Sequence, residues 1–209
     1  MPIKYQVEQG DCISSIAFEH GFFPDTIWNH PSNAALKEKR KDPNVLLPGD
    51  IVFVPDKRLK ELTRPTEHLH KFQCKGVPEK LKLQLLLNGV PRASVSYKLT
   101  IDDDLVLSGK TDGQGRLQHS IPPNARTGKL IVNNEEAYEL LLGDLNPADD
   151  LTGIQGRLRH LGFYDGPIDE QITPEMEQAL QEFQLSVGLE PDGAINQQTI
   201  DALKKAYGG

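Results

Sequence analysis

Cys12 is the first residue whose type and place suggest chemistry. It follows Gly10-Asp11 at a helix-start turn, where a helix N-terminus can lower a thiol pKa. A Cys/His peptidase needs a nucleophile, a base and an orienting group. The sequence does not supply that set: Cys74 and His119 lack a third partner, and Cys12 stands in a segment read below as a binding module. His68-Leu69-His70, with Cys74 beyond, places two imidazoles on one strand face and could begin a zinc site, but no fourth ligand follows. Asp102-Asp103-Asp104 could offer oxygens to calcium, yet the loop lacks the further spaced oxygens and glycine such a site uses. Asp165 and Asp169 could imitate a glycosidase pair. No phosphate loop or dinucleotide fingerprint occurs. These residue types therefore predict no catalytic site, no metal and no cofactor.

The elements that must position any site are set by a chain of 209 residues, room for two to three small domains. No apolar run approaches the ~20 residues that a membrane helix needs. The start, MPIKYQVEQGD, has no apolar core region and no small-residue cleavage site, so no secretory signal is expected. Such a chain would be made in the cytoplasm and would act at the periplasm or wall only if an injection or lysis system delivers it. Two cysteines do not make a disulfide framework and read as thiols of a reducing compartment. The formal net charge is −7, and it is uneven: from Gly143 on there are 12 acidic and 4 basic residues. That acidic end argues against nucleic acid, whose phosphates need a basic face.

Along the chain the pattern predicts a multidomain α+β architecture with boundaries at 1–56, 57–67, 68–143 and 144–209. In the first segment Lys4 to Val7 alternates as a strand, Asp11 is placed to cap a helix from Ile13 to Phe18, and Gly21 ends it. Pro24 to Trp28 is a second helical turn, and Ile51 to Pro55 a closing strand, giving strand–helix–helix–strand. His30 to Asn44 is an extension in helix or loop, and its Lys39-Arg40-Lys41 run reads as a solvated face. Tyr5, Val7, Gly10, Asp11, Ile13, Ile16, Ala17, Ile27, Trp28, Asn29, the Leu47-Pro48-Gly49-Asp50 turn and Val54-Pro55 resemble the lysin-motif (LysM) domain. That resemblance implies a groove for N-acetylglucosamine glycans lined by Gly10, Asp11, Cys12, Ile13, Val45, Leu46 and Leu47. Cys12 stands where the family commonly has Thr, which removes a hydroxyl.

Asp56 to Glu67 is charged, holds Pro65 and reads as a connector that permits freedom between modules. Strand patterns follow at 68–74, 81–85, 94–101, 105–111, 116–121, 129–132 and 138–142, with Asn88-Gly89 a hairpin signal and Asp102–Asp104 a turn. Roughly seven short strands predict a small β-sandwich of transthyretin or immunoglobulin type. The Thr111-Asp112-Gly113-Gln114-Gly115-Arg116 stretch resembles one hairpin of the transthyretin-like or carboxypeptidase-regulatory-like sandwich.

In the last segment apolar residues recur at helical spacing: Ile154, Leu158 and Leu161; Met176, Ala179, Leu180 and Phe183; Ile200, Leu203 and Ala206. Thr173 before Pro174 reads as a cap with Pro at the first helical position, and Asn196 to Thr199 opens a third helix. The two halves echo each other, Gly-Phe-Tyr-Asp-Gly-Pro-Ile-Asp being answered by Gly-Leu-Glu-Pro-Asp-Gly-Ala-Ile. Ile154, Leu158, Leu161, Ala179, Leu180, Phe183 and Leu203, with Gly162, Phe163, Tyr164, Gly166, Asp169, Thr173, Gln184, Gly188, Leu189, Asp192, Gly193 and Thr199, resemble the peptidoglycan-binding-like module of cell-wall hydrolases. The resemblance implies a three-helix domain that contacts glycan through Phe163, Tyr164, Asp165, Asp169, Ile172 and Asp192, with Tyr164 and Phe163 as the sugar platform. Asp169-Glu170-Gln171-Ile172 departs from the family's usual Asp-Gly. The order of the three modules resembles proteins encoded beside type VI secretion spike and Rhs-toxin genes. The implied partners are peptidoglycan glycan strands or, alternatively, a secretion spike protein or Rhs toxin docked by an adaptor; nucleic acid and membrane are not expected.

Overall fold

The computed structural model describes residues 1–57, 63, 65–69, 79–87 and 89–207. Most of the expected connector, the expected strand 68–74 from residue 70 on, and Asn88 of the hairpin signal lie outside the described residues. By its internal contacts the chain divides into two units. One comprises Met1–Asn44 with Pro48–Gly143, and the other Val45–Leu47 with Asp144–Gly209.

The first unit opens with β1 (Ile3–Gln6), α1 (Ile13–His20) and α2 (Pro24–Trp28). A 3-10 turn (Pro31–Asn33), α3 (Ala34–Arg40) and β2 (Ile51–Val54) follow, and β1 pairs antiparallel with β2. Ile13, Ile16, Ala17, Ile27, Val52 and Val54 form a closed apolar interior. Gly21 ends α1 at a φ of 68°, a left-handed conformation that costs glycine little. The extension between α2 and β2 serves packing. Buried Asn33 donates from Nδ2 to the Ile27 and Phe53 carbonyls, both at 2.8 Å, and accepts from the Phe53 N–H at 2.7 Å. The basic run is not wholly a solvated face. The Arg40 side chain is 4% exposed and holds Asp50 with two bonds of 2.6 and 2.9 Å, so only its neighbours are free to face water.

The rest of this unit is a β-domain: β3 (Glu79–Gln84), β4 (Leu86–Leu87), β5 (Val90–Pro91), β6 (Ser96–Ile101), β7 (Leu105–Lys110), β8 (Arg116–Ile121), β9 (Thr127–Val132) and β10 (Glu136–Leu141). Strands β10, β9, β6 and β7 make a four-stranded sheet, β3 pairs with β8, and β4 with β5, all antiparallel. Alternate residues Tyr97, Leu99 and Ile101 of β6 and Leu130 and Val132 of β9 meet Leu117 and Ile121 of β8 in one core. The period of two in the sequence is thus spent on burying one face of each ladder. Asp102 makes the β6–β7 turn at a φ of 47°. Its carboxylate accepts from the Arg126 N–H at 3.0 Å and the Thr127 N–H at 2.8 Å. Burial works to raise its pKa, but these backbone donors hold it below the usual carboxylate range.

The second unit carries α4 (Leu151–His160), α5 (Pro174–Ser186) and α6 (Gln197–Tyr207). Ile154, Leu158, Met176, Ala179, Leu180, Phe183 and Leu203 are its core. Residues 146–147 cross directly over α4. A methyl at Gly153 would overlap the Pro147 carbonyl, and the buried Arg157 donates from Nη1 to the Asn146 and Gly153 carbonyls at 2.8 Å each. Among the described residues, no helix is long and apolar enough to cross a membrane.

Candidate functional site

Two buried glutamines hold the loops of the helical unit. Gln155 of α4 accepts at Oε1 from the Asp169 N–H at 2.8 Å. Its Nε2 donates to the Gln171 carbonyl at 3.0 Å and to Asp169 Oδ1 at 3.3 Å. Gln184 of α5 repeats the arrangement. Its Oε1 accepts from the Gly193 N–H at 2.8 Å, and its Nε2 donates to Asp192 Oδ1 at 2.7 Å, Thr199 Oγ1 at 3.0 Å and the Ala194 carbonyl at 3.1 Å. Each aspartate then accepts from the backbone two residues on, Gln171 N–H at 3.0 Å and Ala194 N–H at 2.8 Å. Each loop ends in a side-chain cap, Thr173 accepting from the Met176 N–H and Asn196 from the Thr199 N–H. The echo in the sequence is therefore one device used twice: a buried amide, an aspartate turn and a helix cap.

The bonds from Ala194 and then Gln184 hold the Asp192 carboxyl below the ordinary carboxylate range. Asp169 and Asp192, expected as glycan contacts, each accept bonds from their own loop and its glutamine; Asp169 is half-buried and Asp192 exposed. No glycosidase pair is needed to explain Asp169, whose partner is Gln155.

The first loop is the longer: 13 residues lie between α4 and α5, against 10 between α5 and α6. The stretch from Gly162 to Pro167 does not present Tyr164 to solvent. Tyr164 is 3% exposed and packs in the helical core. Its hydroxyl donates to the Pro167 carbonyl at 3.0 Å, and Gly166 lies so close over the ring that a methyl there would overlap it. The expected sugar platform is thus a structural pin, because a large amphipathic ring gains more by burial with its hydroxyl satisfied than by standing in water. Phe163 is half-buried and meets Phe183 edge to face, with ring centroids 5.5 Å apart. The loop exposes Asp165, Glu170 and Gln171 among its polar side chains, and Ile168 at 46% and Ile172 at 58% among its apolar ones. Ile168 was not among the expected contacts. Its only signal is position, an aliphatic residue beside Pro167 in a loop.

These loops lie on the part of the chain that the comparisons identify. Residues 147–203 match the family model described as "Putative peptidoglycan binding domain". Residues 147–203 are a peptidoglycan-binding domain. A spore cortex-lytic enzyme of Oceanobacillus iheyensis is 41% identical over 58 residues, which are 28% of this chain and 21% of that protein. The chain therefore spans about a fifth of the length of that relative. No solved structure matches the chain.

The expected N-terminal groove residues have different surroundings. Asp11 is 3% exposed and is not the helix cap; its carboxylate accepts from the Tyr5 hydroxyl and the Glu8 N–H, both at 2.9 Å, and pairs with Arg126. Loss of solvation first, and then the bond to Asp11, push the Tyr5 phenol up to about 12. The cap is Cys12. Its Sγ accepts from the Ser15 N–H at 3.4 Å while its own N–H donates to Ser15 Oγ at 3.0 Å, a capping box. Burial pushes the Cys12 thiol up, more than the Ser15 hydrogen bonds lower it. Ile13 is fully buried. Leu46 is buried, and Val45–Leu47 group with the helical unit.

Among the described residues no group of three or more His, Cys, Asp or Glu could hold a metal ion; His70 and Cys74 lie outside them. His119 Nε2 pairs with the Tyr97 hydroxyl at 2.8 Å in the β-domain.

Proposed function

We propose that the protein is a non-catalytic peptidoglycan-binding protein whose wall contact is the 162–173 loop of its peptidoglycan-binding domain. The family match over residues 147–203 carries this reading. The loop adds a mechanism. The Gln155–Asp169 clip holds it in place, so little conformational freedom is lost on binding. Exposed Ile168 and Ile172 offer an apolar wall to a sugar face, and Asp165 an acceptor for sugar hydroxyls. The resemblance of residues 1–56 to a lysin motif supports the same partner, though not through Gly10–Ile13, which are largely buried. The order of modules alone carries the alternative of an adaptor in an injection apparatus.

Ile172→Ser and Asp165→Ala should each lower the fraction of protein that sediments with insoluble wall sacculi, with thermal unfolding unchanged. Parent-like sedimentation of both variants would remove the loop from the account. A second reading is favoured by the cortex-lytic relative: the domain would then target a wall-lytic activity. Turbidity of the same suspensions separates the two, since only a lytic protein clears them.

A further inference from the structure

We infer that the turn after β1 is an intramolecular clasp, which fastens the N-terminal module to the β-domain and shuts Gly10, Asp11 and Cys12 against outside ligands. The observations lie within the first unit and hold whether or not the helical unit binds wall. Arg126, in the loop between β8 and β9, reaches Asp11 with Nη2 at 2.5 Å. The Asp11 side chain is 1% exposed and that of Arg126 39%, so a charge at the rim neutralises a charge in the interior. An ion pair so placed is costly to break from one side, because the carboxylate stays buried alone.

The backbones close the same seam. Gly10 takes a φ of 86°, and a methyl there would meet Arg126 Nη1 at 2.7 Å and the Leu142 carbonyl at 3.7 Å. Gly143 takes a φ of 77°, and a methyl there would stand 2.6 Å from the Gly10 carbonyl. Gly143 thus allows a main-chain approach to Gly10 that a side chain would not permit. Arg126 is itself held in place: its N–H donates to Asp102, and its carbonyl accepts from the Leu142 N–H at 2.8 Å. The Asp11 carboxylate, the buried charged acceptor of the turn, is therefore occupied by the protein's own chain, accepting from Tyr5, Glu8 and Arg126.

Cys12 sits in the clasp and reports on it. In the full chain carrying Cys74→Ser, labelling of Cys12 by a maleimide under native conditions should be slow. Arg126→Ala should raise the rate by about tenfold or more, because labelling follows the population of the open turn, with far-UV circular dichroism unchanged. Gly143→Ala should do the same from the other side. Arg126→Lys, which keeps the charge and loses the fork, should give a smaller rise and serves if Arg126→Ala does not fold. Labelling at the parent rate in the folded variants would overturn the clasp.

Discussion

Gln184 makes four hydrogen bonds from a side chain that is 1% exposed, and Gln155 makes three from one that is fully buried. Truncating either leaves buried backbone and side-chain groups without partners, which costs more than the bonds were worth in water. Gln184→Ala is expected to destabilise the domain by about 3 kcal/mol and Gln155→Ala by about 2 kcal/mol, measured by denaturant unfolding. Negligible losses would deny the glutamines their role. Tyr164 belongs to the same class. Tyr164→Ala should cost about 3–5 kcal/mol as a core cavity, whereas Tyr164→Phe should cost about 1 kcal/mol for the bond to Pro167. Asp192 supplies a pH signature. Its folded carboxyl pKa lies below its unfolded value, so it binds fewer protons when folded. The stability it contributes is present above the unfolded pKa of 3.8 and is lost as pH falls through the depressed folded value. Asp192→Asn should therefore flatten the acid limb of the unfolding curve below about pH 4; an unchanged slope would mean that the depressed pKa adds no stability.

At the scale of elements, much was legible from periodicity and caps. The Thr173-Pro174 start, the helix opened by Asn196, the Gly21 stop and the alternation of β6, β8 and β9 all rest on local rules that leave local marks. Gly-Phe-Tyr-Asp-Gly-Pro answering Gly-Leu-Glu-Pro-Asp-Gly announced a repeat, but not its cause, since Gln155 and Asp169 are joined across a loop. The direction of Tyr164 was not legible, because a Tyr beside Gly reads equally as a platform or as a ring tucked beneath its own loop. Asp11 stood where a cap is usual, yet Cys12 takes the cap and leaves Asp11 for Arg126, 115 residues away. A long-range ion pair of this kind has no periodic signature. The Arg40–Asp50 pair was hidden for a related reason: a run of basic residues looks solvated until a buried carboxylate faces one of them.

For the whole molecule, the acidic balance from Gly143 on, 12 acidic residues to 4 basic, lies on the segment that holds the peptidoglycan-binding domain. Wall peptides carry carboxylates of their own, so attraction between net charges cannot be what binds. The proposed contacts through Ile168, Ile172 and sugar hydroxyls would be indifferent to screening. Raising NaCl from about 0.05 M to about 0.5 M, which shortens the Debye length from roughly 14 Å to 4 Å, should leave wall binding unchanged or strengthen it. A steep loss with salt would point instead to basic side chains in the rest of the chain, which is near neutral overall. The most direct test of the central claim is co-sedimentation of the purified full chain with insoluble peptidoglycan sacculi, with turbidity followed in the same tube. The account predicts that the protein pellets with the sacculi and leaves the suspension turbid. Protein that stays in the supernatant would contradict wall binding, and clearing of the suspension would contradict its non-catalytic character.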